Sequence, residues 1–434
     1  VLLDPTPTTR RFIVRYLFVN QYYAPDFAAT AQQMSDLCER LAAEGHEVHV
    51  LASRAVYDGR DLNLPQYEVL NGVHVHRVGL EVCSRDRLRE RALGYLSFFV
   101  KAFAKATFMP KADAVVVLTT PPMIGLLGSW LRFTRGTAFI YWVMDVYPEI
   151  AIRAGVLRRM GPTRILWSAL ARLIYRSANR VVVLGGDMQA AIRGKLPASL
   201  RDNVEVIHSW SGNAEMKPLE TSKSVFRQGL CAAQSFCLMY SGNMGTCHAF
   251  GGVIDGIRQM AGRTGIHFAF VGGGKQLSKL KESLSGQKDN VTFLPYQDRG
   301  DLDDTLGAPD AHLVCLDPKY DGLLVPSKIY GILAAGRAVL FAGSEHNEIA
   351  RIIKSARCGI VIPHDDGDAF RQAIEWMQGN REAVAEMGRL GRNYFETHFT
   401  TDHLTGLFSG LLSEETTSDA AWSAPRSSET YPTR

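Results

Sequence analysis

RFIVRYLFVNQYYAPDFAATAQQMSDLCERLAAEGHEVHVLAS, residues 11–53, holds one full period of the pattern that decides the fold. RFIVRYLFVN (11–20) is rich in β-branched and aromatic residues and reads as a strand. ATAQQMSDLCERLAAEG (29–45) is amphipathic, reads as a helix and is closed by Gly45; HEVHVLAS (46–53) is a second strand. Strand, helix and strand in this order make a βαβ unit, whose strands run parallel through a right-handed crossover. The same alternation continues outward. VHVHRV (73–78), ADAVVVLTT (112–120), TAFIYWVMD (137–145) and NRVVVLG (179–185) read as further strands. Continuous apolar runs such as AVVVL suit a parallel sheet covered on both faces.

After VEVIHSW (204–210) the pattern weakens into SGNAEMKPLETSKSVFRQG (211–229), a polar stretch with Pro218 that reads as a linker. A second alternation follows, with strands at FCLMYSGN, HFAFVGG, NVTFLPY, AHLVCL, AVLFAG and GIVIP. DAFRQAIEWM and REAVAEMGRLGRNYFETHF are helices that close it. SEETTSDAAWSAPRSSETYPTR (413–434) is polar and aperiodic, which predicts disorder. The expected fold is α/β, two doubly wound Rossmann-like domains facing across a cleft. They span 1–210 and 211–412, the last helices being free to pack back on the first domain.

Composition bounds the function classes. The 434 residues suggest two to three domains, and 46% hydrophobic with 21% charged residues is the balance of a globular chain. That excludes a wholly disordered or collagen-like chain. A net charge of +4 gives no case for nucleic acid as a partner. The seven cysteines are scattered with no Cys-x-x-Cys, so neither a zinc site nor a disulfide framework is expected, and a reducing cytoplasm fits. No apolar run approaches the ~18 residues of a spanning helix. The stretch VLLDPTPTTRRF lacks the order of a signal peptide.

Charge is unevenly placed. Arg153, Arg158, Arg159, Arg164, Arg172, Arg176 and Arg180 fall between Ala151 and Gly186 with no acid among them. RDRLRERALGYLSFFVKAFAKATF (85–108) is a second basic stretch, in which a helix over 94–107 would group Tyr95, Phe98, Phe99, Val100 and Phe103 toward one side. Two readings stand for these stretches: solvated faces of helices packed on the sheet, or docking onto an anionic membrane surface.

Open α/β sheets bind ligands at loops that lead from strands into helices, so the chemistry is expected at the strand ends. FVGGGKQ (270–276) follows a strand but lacks Gly-x-Gly-x-x-Gly with a later acid, and the loop after the first strand, NQYYAPDFAAT, carries no such motif. A dinucleotide oxidoreductase is disfavoured, and so is a P-loop kinase, because Gly-x-x-x-x-Gly-Lys-Ser/Thr does not occur. Cys247 beside His248 has no orienting acid in sequence, which favours a core or loop cysteine over a nucleophile. In YSGNMGTCH (240–248), Ser241 to Gly245 lie between a strand and a helix, where free N–H groups and a positive helix end suit a phosphate. VPSKIYGILAAGRAV (325–339) starts a helix at Pro326 and Ser327 with Lys328 in its first turn. A lysine there opposes the helix dipole and calls for an anion, the alternative being a surface lysine beside a cap.

These stretches also carry a resemblance. QYYAPDFAATAQQMSDLCERLAAEGHEVHVLAS, LTTPPMIG, YWVMDVYPEIAIRAG, VIHSWSGNAEMKP, YSGNMGTCHAF, FVGGGKQ, NVTFLPY and VPSKIYGILAAGRAV run in order over about 12–400. Together they make the chain resemble a family-4 retaining glycosyltransferase of the GT-B fold, of the bacterial O-antigen and colanic-acid N-acetylfucosaminyl-transferase type. The resemblance implies a nucleotide-sugar, UDP-linked by family, held by the C-terminal domain, and an acceptor held by the N-terminal one. That acceptor is a lipid-linked glycan or a small molecule. Base contacts are implied at Leu294, Pro295 and Tyr296, diphosphate contacts over Gly242, Asn243 and Gly245, and further nucleotide-sugar contacts at His248, Gly273 and Ser327. Relatives place an Arg and a Lys where this chain has Asn243 and His248, so Lys328, next to Ser327, takes over charge neutralisation. The relatives' Glu-x7-Glu pair falls on Leu323 and Gly331 here, leaving Asp321 or Glu345 as substitutes. No Asp-x-Asp or metal cluster is seen, so cations of the protein would stabilise the departing diphosphate, with no cofactor.

Asp145 at the end of TAFIYWVMD is read either as the carboxylate orienting the acceptor or as the N-cap of a helix near Pro148. Tyr147 and Glu149 share its loop, and Asp26 and Thr30 follow the first strand toward the same cleft. Two rival functions remain open: a GT-B sugar-nucleotide epimerase, and a silent nucleotide- or glycan-binding scaffold suggested by the missing Glu pair.

Overall fold

The computed structural model describes residues 13–26, 28–56, 62–80, 88–157, 161–210, 216–287 and 289–423. Its strands are β1 Arg15–Val19, β2 Glu47–Ser53, β3 Tyr67–Leu70, β4 Val73–Val78, β5 Ala114–Val117, β6 Ala138–Val143, β7 Arg180–Val183 and β8 Val204–Val206. They continue with β9 Phe236–Ser241, β10 Ile266–Val271, β11 Val291–Leu294, β12 Ala311–Cys315, β13 Ala338–Ala342 and β14 Gly359–Ile362. One sheet has the order β3-β4-β2-β1-β5-β6-β7-β8, the other β11-β10-β9-β12-β13-β14. The opening βαβ unit forms as the sequence predicts. β1 and β2 pair in parallel from Arg15↔Glu47 to Val19↔Leu51, joined through the helix Ala29–Ala43.

The second sheet shows why its strands read as continuous apolar runs. Side chains alternate across a strand. Phe236, Leu238 and Tyr240 of β9 enter a large core with Phe268, Phe270, Leu313 and Leu340. Cys237 and Met239 enter a smaller cluster on other positions of the same strands, with Ala269, Val271, Leu230 and Ala308. Burying each large apolar side chain contributes about 1.5–3 kcal/mol, so covering both faces keeps these strands central.

Three features depart from the expectation. β3 was not foreseen; it runs antiparallel to β4, from Tyr67↔His76 to Leu70↔Val73, through Asn71 and Gly72. Both turn residues have positive φ, 50° and 84°, as a two-residue hairpin requires. The predicted disorder over 413–434 does not hold for its first part, because a helix runs from Thr401 to Ser423. Leu404, Phe408, Leu411 and Leu412 are buried along it, the Phe408 ring lies 4.7 Å from Trp142, and Glu415 pairs with Arg180 at 2.9 Å. Residues 424–434 lie outside the described residues.

The third departure is the basic helix, which spans Leu88–Phe108. Of the predicted grouping only Phe98 is fully buried, with Ala102 and Ala106 also buried; Tyr95, Phe99 and Phe103 are half-buried and Val100 is exposed. The solvent face instead carries Leu93, Leu96, Val100, Lys101, Lys105 and Phe108. Arg85 and Arg87 lie outside the described residues. Among those described, no helix is long and apolar enough to cross a membrane.

The chain divides into two compact units, neither of them continuous. The described residues of Val1–Trp142, Leu173–Val181 and Leu407–Arg434 form one; Val143–Arg172 and Val182–Gly406 form the other.

Candidate active site

Most of the candidate site residues fall in the second unit, where two glycine-bearing turns are locked together. Gly242 N–H donates to Val271 O at 2.9 Å, Met244 N–H to Gly273 O at 2.6 Å, and Gln276 N–H to Met244 O at 3.0 Å. Gln276 Nε2 also donates to Gly245 O at 2.5 Å and His248 O at 2.6 Å. The approach is too close for side chains. A Cβ on Gly272, whose φ is +127°, would sit 2.3 Å from Gly242 O, and one on Gly274 would sit 2.5 Å from Asn243 Oδ1. Tyr296, exposed after β11 with Pro295, lies 3.1 Å from the Cβ position of Gly273, so Leu294-Pro295-Tyr296 borders this turn.

This geometry changes one part of the phosphate argument. The N–H groups of Gly242 and Met244 are already bonded, and the next helix starts only at Gly251. The helix end expected beside Gly245 is therefore absent, and two of the turn's N–H groups are already used.

Lys328 brings a cation to the Gly242 turn. It is the first residue of the helix Lys328–Ala334; Ser327 before it is exposed and makes no side-chain cap. Lys328 Nζ lies 3.7 Å from the centre of the Tyr240 ring, and its Cε and Nζ are each 3.8 Å from the Cβ position of Gly242. Nζ is buried and has no hydrogen-bond partner. Burial pushes its pKa down to about 7, against the smaller opposing influence of the Cys315 and Cys247 sulfurs. A buried ammonium held only by a ring face is short of several hydrogen bonds, which is the condition an anion would relieve.

His248 cannot supply the missing charge. Its Nδ1–H donates to Cys315 O at 2.7 Å, and burial, with Lys328 adding to it, pushes its pKa down to about 3. It stays a neutral acceptor at Nε2 near neutral pH. Asn243 is exposed, and its backbone carbonyl accepts the Tyr240 hydroxyl at 2.8 Å.

Asp145 belongs to the same neighbourhood. Val146 N–H donates to Leu323 O at 2.9 Å, tying the loop after β6 to the segment that leads to Lys328. The thiol of Cys247 is pushed up to about 11, chiefly by burial, with Lys328 lowering it and the Asp145 carboxylate raising it. Burial pushes Asp145 itself up to about 6. The helix after it, Glu149–Arg153, has Pro148 as N-cap, which removes the capping role for Asp145.

Other predicted residues are placed less centrally. Asp321, half-buried, accepts from Asn347 Nδ2 at 2.8 Å, and burial raises its carboxyl. Glu345 is exposed beside Lys354 and His346, each 3.7 Å away. Glu149 pairs with Lys195 at 2.8 Å, and Tyr147 is half-buried in the same loop. In the other unit, Asp26 is buried and accepts the Ala28 N–H at 2.9 Å, while Thr30 sits in the first turn of Ala29–Ala43. Sequence reasoning missed Tyr240, the floor beneath Lys328, because a strand tyrosine reads as core. It also missed Gln276, which ties the two turns. Among the described residues, no group of three or more His, Cys, Asp or Glu is arranged to hold a metal ion.

Known proteins share this chain's sequence pattern and fold. Residues 29–210 match a glycosyl transferase 4-like domain and residues 236–380 match the glycosyl transferases group 1 model. The chain is 28% identical over 299 residues to the probable glycosyltransferase WbjE of Pseudomonas aeruginosa, covering 67% of this chain and 73% of that protein. Among solved structures it superposes on sucrose-phosphate synthase from Thermosynechococcus elongatus with a TM-score of 0.72 and 16% identity, covering 93% of this chain and all of that one. Anabaena HepE in complex with UDP-glucose gives 0.69 and 16%, over 92% of this chain and all of that one. The two matched segments follow each other in chain order and account for about three quarters of the residues, on two sheets of the doubly wound type. The chain belongs to the family-4 glycosyltransferases, enzymes of the GT-B fold that transfer sugars from nucleotide donors.

Proposed function

We propose that the donor is a UDP-sugar, an N-acetylated hexosamine by preference, and that its sugar passes to an acceptor hydroxyl with retention of configuration. The observation that carries this reading is the buried, unpaired Lys328 ammonium beside the Gly242 turn. The diphosphate lies along Gly242, Asn243, Gly245 and Gly273 with Lys328 as its counter-charge, and the base lies against Leu294, Pro295 and Tyr296. HepE, crystallised with UDP-glucose, supports the choice of base. As the glycosidic C–O bond breaks, charge grows on the departing phosphate, and a desolvated cation there stabilises the transition state more than the ground state. That phosphate then takes the acceptor proton, with no metal required. Asp145, with Tyr147 and Glu149 following it in the chain, orients the acceptor. Residues 1–210 serve the acceptor and 211–412 the donor.

The test is a panel of nucleotides and nucleotide sugars. UDP at about 100 times Kd is expected to stabilise the protein by about 2.7 kcal/mol in thermal melts. Asp145→Asn is expected to keep that shift and lose transfer, and EDTA is expected to leave transfer intact. No shift with any nucleotide overturns the donor assignment. Conversion of donor without acceptor would indicate an epimerase, and binding without turnover across many acceptors a scaffold.

We also propose peripheral contact with the cytoplasmic face of a membrane, where a lipid-linked glycan acceptor resides. Leu93, Leu96, Val100 and Phe108 present an exposed apolar face on one helix, beside Lys101 and Lys105. Binding to vesicles with anionic lipid at low salt is expected, released by high salt and absent with neutral lipid. Lys101→Gln with Lys105→Gln removes about 1 kcal/mol per charge, roughly a fivefold weakening each. Wild-type indifference to anionic vesicles would leave a soluble acceptor as the better choice.

A further inference from the structure

Away from the donor turns, two cysteines lie side by side where the chain enters the second sheet. Cys231 follows the helix Val225–Leu230 and is half-exposed; Cys237, the second residue of β9, is fully buried. Cys231 packs against the small apolar cluster that contains Cys237, Leu230, Met239 and Val271. The Cys237 thiol donates a hydrogen bond to the Cys231 sulfur. The turn between them is closed by Ser235 N–H to Ala232 O at 2.9 Å.

Two guanidinium groups flank the pair. Arg227 donates to Ala308 O at 2.8 Å, to Ser235 O at 2.7 Å and to Asp310 Oδ2 at 3.0 Å, the last oxygen also accepting the Cys237 N–H at 2.7 Å. Arg381 donates to Gln234 O at 2.6 Å and lies over the Phe236 ring at 5.8 Å. The Cys237 hydrogen bond, helped by Arg227 and Arg381 and opposed by burial and Asp310, brings Cys231 down to about 7. Cys237 is held well above the ordinary thiol range. One sulfur is thus an accessible thiolate near neutral pH, and its neighbour is a protonated thiol in contact with it.

We propose that Cys231 and Cys237 are a modification site, a thiol pair that closes reversibly to a disulfide when exposed to peroxide. The Cys231 thiolate attacks a peroxide oxygen, the O–O bond breaks, and Cys231 becomes a sulfenic acid while hydroxide leaves. The Cys237 sulfur then attacks the sulfenic sulfur, the S–O bond breaks, and the departing oxygen leaves as water with the Cys237 proton. Overall, two thiols and one hydrogen peroxide give one disulfide and two waters; each sulfur loses one electron. A thiol reductant reverses it by exchange.

The experiment treats the purified full chain with hydrogen peroxide, blocks remaining thiols and reads intact mass and peptides. Against the reduced, fully blocked chain the oxidised one should lack two blocking groups and about 2 Da more, and cleavage after Phe236 should leave the two cysteine peptides joined until reduction. Initial oxidation should rise nearly tenfold per pH unit below pH 7 and level off above it. Cys237→Ser should leave Cys231 trappable as a sulfenic acid, and Cys231→Ser, at a half-exposed position, should leave Cys237 reduced. Oxidation that maps to Cys247 instead, or no joined peptides at any peroxide dose, overturns the proposal.

Discussion

Lys328→Met is expected to weaken UDP-sugar binding by roughly 10- to 150-fold, the range of one lost charge-assisted contact at about 1.5–3 kcal/mol. The fold should not suffer, because methionine fills the same space over Tyr240 without a buried charge. The pH dependence makes the result specific. The folded-state pKa of about 7 lies below the ordinary 10.5. Below pH 7 both folded and unfolded states hold the proton, and the full cost of burying the ammonium is present. Between pH 7 and 10.5 the folded state has released the proton while the unfolded state keeps it, so stability rises with pH through this window. The variant lacks that rise. Donor binding favours the charged form, so wild-type affinity should fall as pH climbs above 7, approaching tenfold per unit, with proton uptake visible by calorimetry in buffers of different ionisation enthalpy. Unchanged affinity and an unchanged pH slope in Lys328→Met would remove this lysine from the donor site.

Gly272→Ala should be as damaging, for a different reason. The new methyl would meet the Gly242 carbonyl oxygen at 2.3 Å and its carbon at 3.0 Å, both backbone atoms that have no rotamer to change. The left-handed backbone adds about 1–3 kcal/mol of strain. The two turns must part, displacing the bonds from Gly242 to Val271 and from Met244 to Gly273. Donor affinity is expected to drop by roughly two orders of magnitude, with melting several degrees lower for about 2 kcal/mol. Gly262→Ala is the control: φ is +71° and nothing lies within 4 Å of its Cβ position. It should lose about 1 kcal/mol of stability and keep donor affinity. Equal donor binding by both variants would mean that the packing of the turns does not shape the site.

Periodicity made most of this architecture readable. Runs such as AVVV and AFIYWV are apolar at every position because both faces are covered, and they appear as β5 and β6. β3 escaped because Tyr67 and Val69 are exposed, which erases the apolar signal; Asn71-Gly72 was the local cue for its hairpin. The helix through Ser423 escaped because SEETTSD is polar, although the spacing of Leu404, Phe408, Leu411, Leu412 and Glu415 continues one buried face. Lys328 was legible from a local conflict, a cation at a helix start. Its support was not, since Tyr240 and the Gln276 ties depend on segments far apart in sequence. The expectation of a helix end at Gly245 failed because strand-loop-helix spacing does not say how long the loop is.

The return of the Thr401–Ser423 helix to the first unit has a consequence for biosynthesis. Trp142 is fully buried in part against Phe408, which leaves the ribosome about 270 residues later, a delay of roughly 15–50 s at ordinary elongation rates. All strands of the second sheet, β9 to β14, are synthesised within that interval. The sheet whose strands emerge first is therefore the last to receive its final covering helix. Until then the Phe408 contact of Trp142 and the Glu415 pairing of Arg180 stay unmade, so vectorial folding of this chain ends where it began.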